Sequence, residues 1–386
     1  MKNFVFNAYT EIIFGKGEIN KLPTVLSRYG KNILLTYGGG SIKKNGIYQS
    51  IMEICKDFNI IELSGIEPNP KVTSVRKGAE LCKEHKIDVI LAVGGGSTID
   101  CSKVIGAATF YDGDPWDLVL DKKKITKVLP IVTVLTLAAT GSEMDGIAVI
   151  SNMDTNDKLT TSSTLMKPLT SILDPEYLYS VPKIQTAAGT ADIMSHIFEV
   201  YFSSVSGAFI QDKISEGILK TCIKYCPIAL KDPENYEARA NLMWSSSLAI
   251  NGLTSCGKGG SWTCHAIEHE LGAYYDITHG VGLAILTPSW MRYILNENTV
   301  DKFAEYAVNV WGMEQIVDKY ALANMGIDAT EAFFKSINLP MTLTEIGIDE
   351  MKFEIMAEKS VKNGKLASAY VPLTAEDVHE ILEMCL

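Results

Sequence analysis

The stretch DVILAVGGGSTIDCSKVIGAATF, residues 88–110, decides the fold. An aliphatic run ends in three glycines, and a helical pattern begins directly after them. Glycines let backbone N–H groups approach an anion closely, and a helix N-terminus adds partial positive charge. We therefore predict a strand, a diphosphate-binding turn at Gly95, Gly96 and Ser97, and a helix. A plain glycine-rich turn is the alternative, because the stretch lacks the G-x-G-x-x-G fingerprint.

The same alternation of strand and helix continues through the first ~180 residues, as in βαβ units. Strand-like runs occupy residues 32–37, 60–63, 88–93, 129–135 and 170–174, and helical segments occupy 46–57, 70–86 and 98–110. Strands that alternate with helices form parallel sheets. Residues 1–182 are therefore predicted to form a doubly wound, Rossmann-like α/β domain.

The pattern changes after Pro182. Residues 183–386 show amphipathic helical spacing almost throughout, with helix starts marked near Pro233, Asp301 and Thr374. A chain of 386 residues is also long for one hydrophobic core. We predict a second, all-α domain over 183–386.

Two further polar loops follow strands of the predicted sheet. One is YGGGS at residues 37–41, and the other is TLAATGS at residues 136–142. The carboxyl ends of neighbouring parallel strands meet at one edge of a sheet, where ligands bind. We therefore expect both loops to contact a dinucleotide, through Gly38, Gly39, Ser41, Thr136, Thr140 and Ser142.

An aspartate and four of the six histidines lie between residues 192 and 279. Asp192 and His196 are four residues apart, as are His265 and His269, and His279 follows. Residues four apart share a helix face, so each pair can converge on one point. One oxygen and several imidazole nitrogens suit a divalent metal such as Fe(II) or Zn(II). This cluster predicts a metal-dependent enzyme.

The segment HAIEH at residues 265–269 also matches H-x-x-E-H, the inverted zinc-peptidase signature. In that interpretation both histidines bind zinc and Glu268 activates water for hydrolysis. A peptidase would explain neither the glycine loops nor Asp192 and His196. Cys264 is a candidate soft ligand, although its position beside His265 directs it to another helix face.

The bulk composition excludes some classes of partner. The net charge is −11, which argues against broad binding to nucleic acid or acidic membranes. No apolar run approaches the ~18 residues that a membrane helix needs, and the first residues lack a secretory signal. The eight cysteines form no C-x-x-C pair, which favours reduced thiols in an intracellular protein. We expect a cytoplasmic enzyme.

Several motifs together resemble the iron-dependent (group III) alcohol dehydrogenases, and most closely the branch of butanol dehydrogenases and broad-range aldehyde reductases. The matching stretches run in family order along nearly the whole chain: FGKGEI, YGGGSIKKNGIY, GIEPNP, AVGGGSTIDCSK, LTLAATGSEMD, GTADIMSHIFE, CHAIEHELGAYYDITHGVGLAIL and LTAEDVHEIL. The resemblance implies an N-terminal dinucleotide-binding domain, a C-terminal helical domain, an active site in the cleft, and a homodimer.

The resemblance also implies roles for individual residues. It implies metal binding by Asp192, His196, His265 and His279. His269 matches a histidine near nicotinamide and substrate, and we expect it to relay protons as a catalytic residue. Asp100 is a second candidate catalytic-site residue, expected to order the helix start, with an ordinary helix carboxylate as the alternative. The resemblance assigns cofactor contacts to Gly95, Gly96, Ser97, Asp100, Thr136, Thr140, Ser142 and Lys158.

The expected activity is reversible hydride transfer between NAD(P)(H) and primary alcohols or aldehydes, with Fe(II), or Zn(II), as Lewis acid. Family members that strongly prefer NAD carry an acidic residue where this chain has Gly40. The nearby Ser41, Lys43 and Lys44 favour NADP(H) slightly and leave NAD(H) open. A dehydroquinate synthase-like lyase, which also uses a metal and NAD, is the alternative function.

Overall fold

The computed structural model describes all residues, 1–386, and they divide into two compact units. The sheet unit contains residues 7–181 and 233–247, and the helical unit contains residues 1–6, 182–232 and 248–386. Two segments therefore belong to a different unit from the one predicted for them. Residues 1–6 join the helical unit, where the Met1 amino group donates to the Ser206 carbonyl at 2.7 Å and the Lys2 N–H to the Gly257 carbonyl at 2.8 Å. Residues 233–247 join the sheet unit through the buried side chain of Met243.

Eight strands form the sheets of the sheet unit. They are β1 Glu11–Phe14, β2 Asn32–Tyr37, β3 Asn59–Leu63, β4 Val89–Gly94, β5 Ile131–Leu135, β6 Ile147–Asn152, β7 Asp157–Ser162 and β8 Thr170–Leu173. The main sheet is wholly parallel, in the order β1-β8-β5-β4-β2-β3, and β6 and β7 form an antiparallel pair. The predicted parallel sheet is confirmed. Strands β1, β6 and β7 were not predicted, because a four-residue edge strand and a polar hairpin carry weak local signals.

Fifteen α-helices complete the fold. In the sheet unit they are α1 Leu22–Leu26, α2 Ser41–Lys44, α3 Ile47–Ile54, α4 Val72–Glu84, α5 Gly96–Ala108 and α6 Trp116–Leu120. The rest are α7 Lys183–Tyr201, α8 Phe209–Lys231, α9 Tyr236–Ile250, α10 Thr263–Tyr275, α11 His279–Tyr293, α12 Val300–Asn309, α13 Lys319–Ser336, α14 Phe353–Gly364 and α15 Ala375–Glu383. The division between the units runs through α9.

No strand follows Pro182, which confirms the predicted helical second half. The predicted start at Thr374 is a capping box, because its hydroxyl accepts from the Asp377 N–H and the Asp377 carboxylate accepts from the Thr374 N–H. None of the helices combines the length and the apolarity that crossing a bilayer requires.

Apolar side chains cover both faces of the main sheet. Leu34 and Ile90 pack with α4 and α5 on one face, whereas Ile33 and Leu91 pack with α1 and α3 on the other. All six residues of β4 are buried. This burial explains why β4 reads as a continuous apolar run instead of an alternating one. Because β4 ends at Gly94, the other two glycines, Gly95 and Gly96, follow at the carboxyl edge of the sheet.

Candidate metal and dinucleotide sites

Helix α7 places three polar side chains in one row within the helical unit. Asp192, His196 and Glu199 are separated by four and three residues, so they share one face of the helix. Their exposed fractions are only 2%, 3% and 0%. Buried polar groups of this kind need partners, and the partners come from α10 and α11.

The start of α11 lies against α7 because its second residue is glycine. A Cβ on Gly280 would overlap the backbone of Ala188, so a larger residue would push α11 away. A Cβ on Gly282 would lie 2.8 Å from the Cγ of Glu268 on α10. The two glycines thus bring His279, the first residue of α11, close to both neighbouring helices.

Three imidazoles meet at one oxygen of Asp192. The Oδ1 atom lies 3.4 Å from Nε2 of His196 and 3.7 Å from Nε2 of both His265 and His279. The ligand atoms of Asp192, His265 and His279 all lie within 4.8 Å of one another. His196 stands at the edge of this group, and its ring stacks on that of His265 with centroids 4.8 Å apart and planes 15° apart. The structure brings all four predicted metal ligands together.

The chemistry of these atoms fits a divalent cation. Asp192 Oδ1 and His265 Nε2 are buried and have no hydrogen-bond partner, although almost all buried polar atoms in proteins have one. A carboxylate oxygen with imidazole nitrogens suits Fe(II) or Zn(II). Cys264 is buried and does not belong to the group.

Two buried carboxylates fix the orientation of the imidazoles. Glu199 pairs with Nδ1 of His265, and Glu268 pairs with Nδ1 of His279. When Nδ1 carries the proton, the lone pair of Nε2 points toward Asp192, which is the usual arrangement of metal-binding histidines. The other oxygen of Glu199 accepts from the Cys264 N–H at the start of α10. That bond satisfies a helix-terminal N–H, since Trp262, the N-cap residue, makes no side-chain cap.

The position of Glu268 is incompatible with the peptidase interpretation. In that interpretation His265 and His269 would hold the ion, and Glu268 would face a water molecule. Instead Glu268 pairs with His279, and His269 does not belong to the group of converging ligand atoms. The ring of His269 lies beside the group, with its centroid 6.5 Å from that of His265 and 5.9 Å from that of His279.

The protonation states of Asp192 and the histidines around it suit the binding of a cation. Burial lowers the pKa of His196 to about 3, although Asp192 acts in the opposite direction, so this imidazole is neutral. Burial also opposes protonation of His265, but Glu199 and Asp192 outweigh it and raise that pKa to about 10. Burial by itself would raise the pKa of Asp192, yet the imidazoles of His196, His279 and His265 hold it well below its ordinary value. A cation that binds His265 must therefore displace a proton.

The predicted diphosphate turn joins β4 to α5 in the sheet unit. Gly95 is the N-cap residue of α5, and no side chain caps this end of the helix. A Cβ on Gly95 would lie 3.0 Å from the Leu137 side chain, and a Cβ on Gly96 would overlap Thr140. Glycine is therefore required for the loop after β5 to approach the start of α5. An uncapped helix N-terminus next to such a loop suits an anion.

A buried lysine organises the loop after β5. Lys103 is fully buried, and its Nζ donates to Ser142 Oγ at 2.8 Å and to Asp145 Oδ1 at 2.7 Å. The Ser142 hydroxyl donates to Asp100 at 2.5 Å, and Asp100 also accepts from the Val149 N–H at 2.9 Å. Burial raises the pKa of Asp100 to about 6. The structure therefore places Asp100 and Ser142 in a bonded network that holds α5, this loop and β6 together.

Except for Lys158, the remaining predicted cofactor residues lie at the same edge or near it. Gly38 adjoins the diphosphate turn, because a Cβ there would be 3.9 Å from Thr98 Oγ1. Gly39 is followed by Gly40, whose φ of +100° favours glycine, and by Ser41 at the start of α2. Lys158 stands apart in β7, opposite Ser151 and only 4% exposed. Thr136 and Thr140 are partly exposed.

Three functional residues were missed by the sequence analysis. Glu199 continues the row of Asp192 and His196 at the next turn of α7, and that spacing could have revealed it. Glu268 was considered only as the base of a peptidase. Lys103 gave no signal, because its acceptors lie about 40 residues further along the chain.

Comparison with known proteins identifies two family models that together cover most of the chain. The model described as iron-containing alcohol dehydrogenase matches residues 9–175. The model described as Fe-containing alcohol dehydrogenase family, C-terminal, matches residues 186–386. Each half of the chain thus matches a separate model of the family that the sequence resembles.

Similar proteins match over nearly their full length. The chain is 57% identical to NADH-dependent butanol dehydrogenase A of Clostridium acetobutylicum, over 99% of each chain. It is 38% identical to the NADPH-dependent aldehyde reductase YqhD of Escherichia coli, over 94% of each chain. The crystal structure of NADH-dependent butanol dehydrogenase A from Thermotoga maritima matches with a TM-score of 0.95 and 40% identity, over 100% of this chain and 99% of that one.

Proposed function

Because the chain belongs to the iron-containing alcohol dehydrogenase family, we propose that its converging Asp192, His196, His265 and His279 bind the metal of an NAD(P)-dependent oxidoreductase that interconverts primary alcohols and aldehydes. The class of reaction follows from full-length relatives that are named butanol dehydrogenases and aldehyde reductase. One observation carries the assignment of the site: Asp192 Oδ1 lies 3.4–3.7 Å from the Nε2 atoms of three histidines.

The residues of the helical unit have distinct parts in this proposal. When bound, the metal would supply Lewis acidity toward the substrate oxygen, and the nicotinamide would carry the hydride. Glu199 and Glu268 hold the two imidazoles in the tautomer that leaves Nε2 free. The N/O ligand set favours Zn(II) over Fe(II) in intrinsic affinity, so the supply of metal decides which ion is bound. We propose Fe(II) as the functional ion, with Zn(II) able to replace it.

His269 is the proposed proton relay. It lies one turn after His265 on α10, partly exposed, and beside the ligand group instead of within it. Imidazole is the side chain that most often acts as a general acid or base in enzymes. Its place next to the ligands supports proton transfer to and from the oxygen of the substrate.

The sheet unit is proposed to bind the dinucleotide. Gly95, Gly96 and Ser97 would hold the diphosphate at the start of α5, with Gly38, Gly39, Ser41, Thr136 and Thr140 around it. Asp100 and Ser142 are proposed to support this surface through their bonds to each other and to Lys103. Lys158 remains a proposed cofactor contact. The open backbone at Gly40 and the nearby Lys43 support acceptance of NADP(H) in addition to NAD(H).

We further propose a homodimer. In the helical unit, large apolar side chains of Phe4, Val5 and Phe209 are exposed by 48%, 97% and 70%. Large exposed apolar surface is typical of protein interfaces. Light scattering after size-exclusion chromatography measures the mass in solution and tests this proposal. The cytoplasmic location stays a prediction of the sequence analysis.

One experiment tests the proposed function directly. The purified protein, stripped of metal and reloaded with Fe(II) or Zn(II), is mixed with butanal and either NADH or NADPH. We expect aldehyde-dependent loss of coenzyme absorbance at 340 nm with metal, and loss of that activity with a chelator. A dehydroquinate synthase-like lyase would consume no coenzyme. An absorbance at 340 nm that stays constant after butanal is added would therefore contradict the proposal.

A further inference from the structure

A cluster of four side chains lies at the ends of β2 and β3, beside the first glycine loop. It consists of Tyr37, Lys43, Tyr48 and Glu62, and we call it the Glu62 cluster. The Tyr37 hydroxyl donates to Glu62 Oε2 at 2.6 Å, and the Tyr48 hydroxyl donates to Glu62 Oε1 at 2.9 Å. Both carboxylate oxygens are therefore held, and the negative charge has a fixed position.

Lys43 is held by the same cluster. Its Nζ lies 3.9 Å from Glu62 Oε2, 4.5 Å from the centroid of the Tyr48 ring and 5.2 Å from that of Tyr37. Two aromatic rings and a carboxylate thus attract the ammonium group to one side. The side chains of Lys43 and Glu62 remain 49% and 33% exposed, so a ligand can reach both charges. The positive charge at this position is compensated by the carboxylate.

The first glycine loop connects this cluster to the diphosphate turn. At one end, a Cβ on Gly38 would stand 3.9 Å from Thr98 Oγ1 in α5. In the middle, no heavy atom lies within 4 Å of the Cβ position of Gly39 or Gly40, so the space above the loop is open. At the other end, Lys43 lies three residues after Gly40. A dinucleotide whose diphosphate binds at α5 and whose nicotinamide extends toward the loop after β5 would place its adenosine ribose in this open space over Gly39 and Gly40.

We propose that Glu62 determines the choice between NADH and NADPH, an inference that rests on the proposed dinucleotide site. Its carboxylate accepts a hydrogen bond from a ribose 2′-hydroxyl, as acidic side chains do in dinucleotide-binding sheets. The same carboxylate repels a 2′-phosphate and keeps Lys43 from pairing with it. Gly40 leaves space for a 2′-phosphate, and the charge of Glu62 lowers the affinity for a dinucleotide that carries one.

The decisive variant is Glu62→Gln, which keeps the shape and one acceptor oxygen but removes the charge. We expect its affinity for NADP+, relative to NAD+, to rise about tenfold at low salt, because one repulsive charge near the phosphate is removed and Lys43 is released. Lys43→Met in the otherwise wild-type protein should change the affinity for NADP+ and for NAD+ little, because Glu62 already keeps Lys43 from the phosphate. Glu53→Gln, which removes an exposed carboxylate of α3, is the matched control and should leave the ratio unchanged.

Isothermal titration calorimetry with NAD+, NADP+, 5′-AMP and adenosine 2′,5′-bisphosphate measures these ratios without depending on turnover. Kinetic constants for NADH and NADPH with butanal give a second readout. The gain in Glu62→Gln should shrink at about 0.5 M salt, because exposed charges are screened. An unchanged ratio of NADP+ to NAD+ affinity in Glu62→Gln would overturn the role of Glu62. Absence of binding of both dinucleotides to the wild-type protein would overturn the proposed function and this assignment with it.

A double variant separates the effect of the Glu62 charge from that of Lys43. If Lys43 mediates the gain, Glu62→Gln combined with Lys43→Met should lose most of the affinity for NADP+ that the single Glu62→Gln change gained. A gain that persists in full in the double variant would overturn the part assigned to Lys43.

Discussion

Replacing Glu199 by glutamine should weaken metal binding although Glu199 touches no metal. Glu199 is fully buried and serves two groups, the Nδ1–H of His265 and the Cys264 N–H that opens α10. A glutamine has one acceptor oxygen and no charge, so it can satisfy only one of these donors well. If it bonds the helix, His265 loses its orientation, and if it bonds His265, the start of α10 loses its cap.

The expected loss of metal affinity follows from the loss of this carboxylate partner. Removing the carboxylate partner of a metal-binding histidine usually lowers metal affinity by about 10- to 100-fold, or about 1.4 to 2.7 kcal/mol. Two effects of the change oppose each other. The imidazole becomes a weaker and less ordered ligand, but it also binds its competing proton less tightly. We expect the first effect to dominate at neutral pH, since both the position and the basicity of Nε2 depend on Glu199.

The pH dependence gives the sharper test. In the wild-type protein the pKa of His265 is raised to about 10, so metal affinity increases with pH over the whole neutral and mildly alkaline range. Without Glu199 that pKa falls, and the affinity of the variant stops increasing at a lower pH. The ratio of wild-type to variant affinity should therefore widen between about pH 7 and pH 8.5.

Competition with a chromophoric chelator measures Zn(II) affinity on metal-stripped protein at both pH values. Glu270→Gln is the matched control, because Glu270 is a buried carboxylate of the same helix that accepts from Asn363 at 3.1 Å, pairs with Lys359 at 3.5 Å and does not belong to the group of converging ligand atoms. Circular dichroism of the metal-free proteins verifies that both variants fold. A ratio that stays constant or narrows as the pH rises would refute the role given to Glu199.

Three other outcomes follow from the structure. His265→Ala should lose metal and turnover together, whereas His269→Ala should keep full metal by elemental analysis and lose about 10²- to 10⁴-fold in turnover; equal metal loss from both would contradict the ligand assignment. Lys103→Met should lower the free energy of unfolding in urea by about 3–5 kcal/mol, because it leaves Asp145 buried without its ion pair; a loss below about 1 kcal/mol would count against this. Burial raises the pKa of Glu143 to about 7, above its value in the unfolded chain. The folded state therefore favours the protonated carboxyl, and its contribution to the free energy of unfolding is fully present below about pH 4.3. This free energy should decline by about 3 kcal/mol as the pH rises to about 7. Glu143→Gln should remove this decline in urea titrations at several pH values, and an unchanged pH profile would exclude the effect.

The sequence predicted those parts of the molecule that depend on neighbours in the chain. The buried run of β4, the three glycines and α5 form one local unit, so their pattern alone placed them correctly. The helix start at Thr374 was predicted for the same reason, and the structure shows it as a capping box. Metal-ligand candidates could also be named, because His196 stands one helical turn after Asp192 and His269 one turn after His265.

The rest depends on contacts between distant parts of the chain. Glu199 binds His265 across 66 residues, and Lys103 meets Asp145 across 42. The spacing after Asp192 and His196 puts Glu199 on the same face of α7, but its partner His265 is fixed only when α7 and α10 are packed together. The segment HAIEH left a peptidase alternative open for a related reason, since its spacing permits two pairings of Glu268 and only the position of α11 decides between them.

The fold of the helical unit and its metal chemistry constrain each other. Three carboxylates, those of Asp192, Glu199 and Glu268, are almost wholly buried within one small region. Burying several negative charges beside neutral imidazoles costs much free energy unless positive charge accompanies them. Protons on the imidazoles can supply part of that charge, and the raised pKa of His265 is a sign of this. A divalent cation supplies two positive charges at the point where Asp192 Oδ1 and His265 Nε2 have no hydrogen-bond partner. The two glycines of α11 that draw these helices together therefore help to create an electrostatic cost that a cation bound at the proposed site would offset.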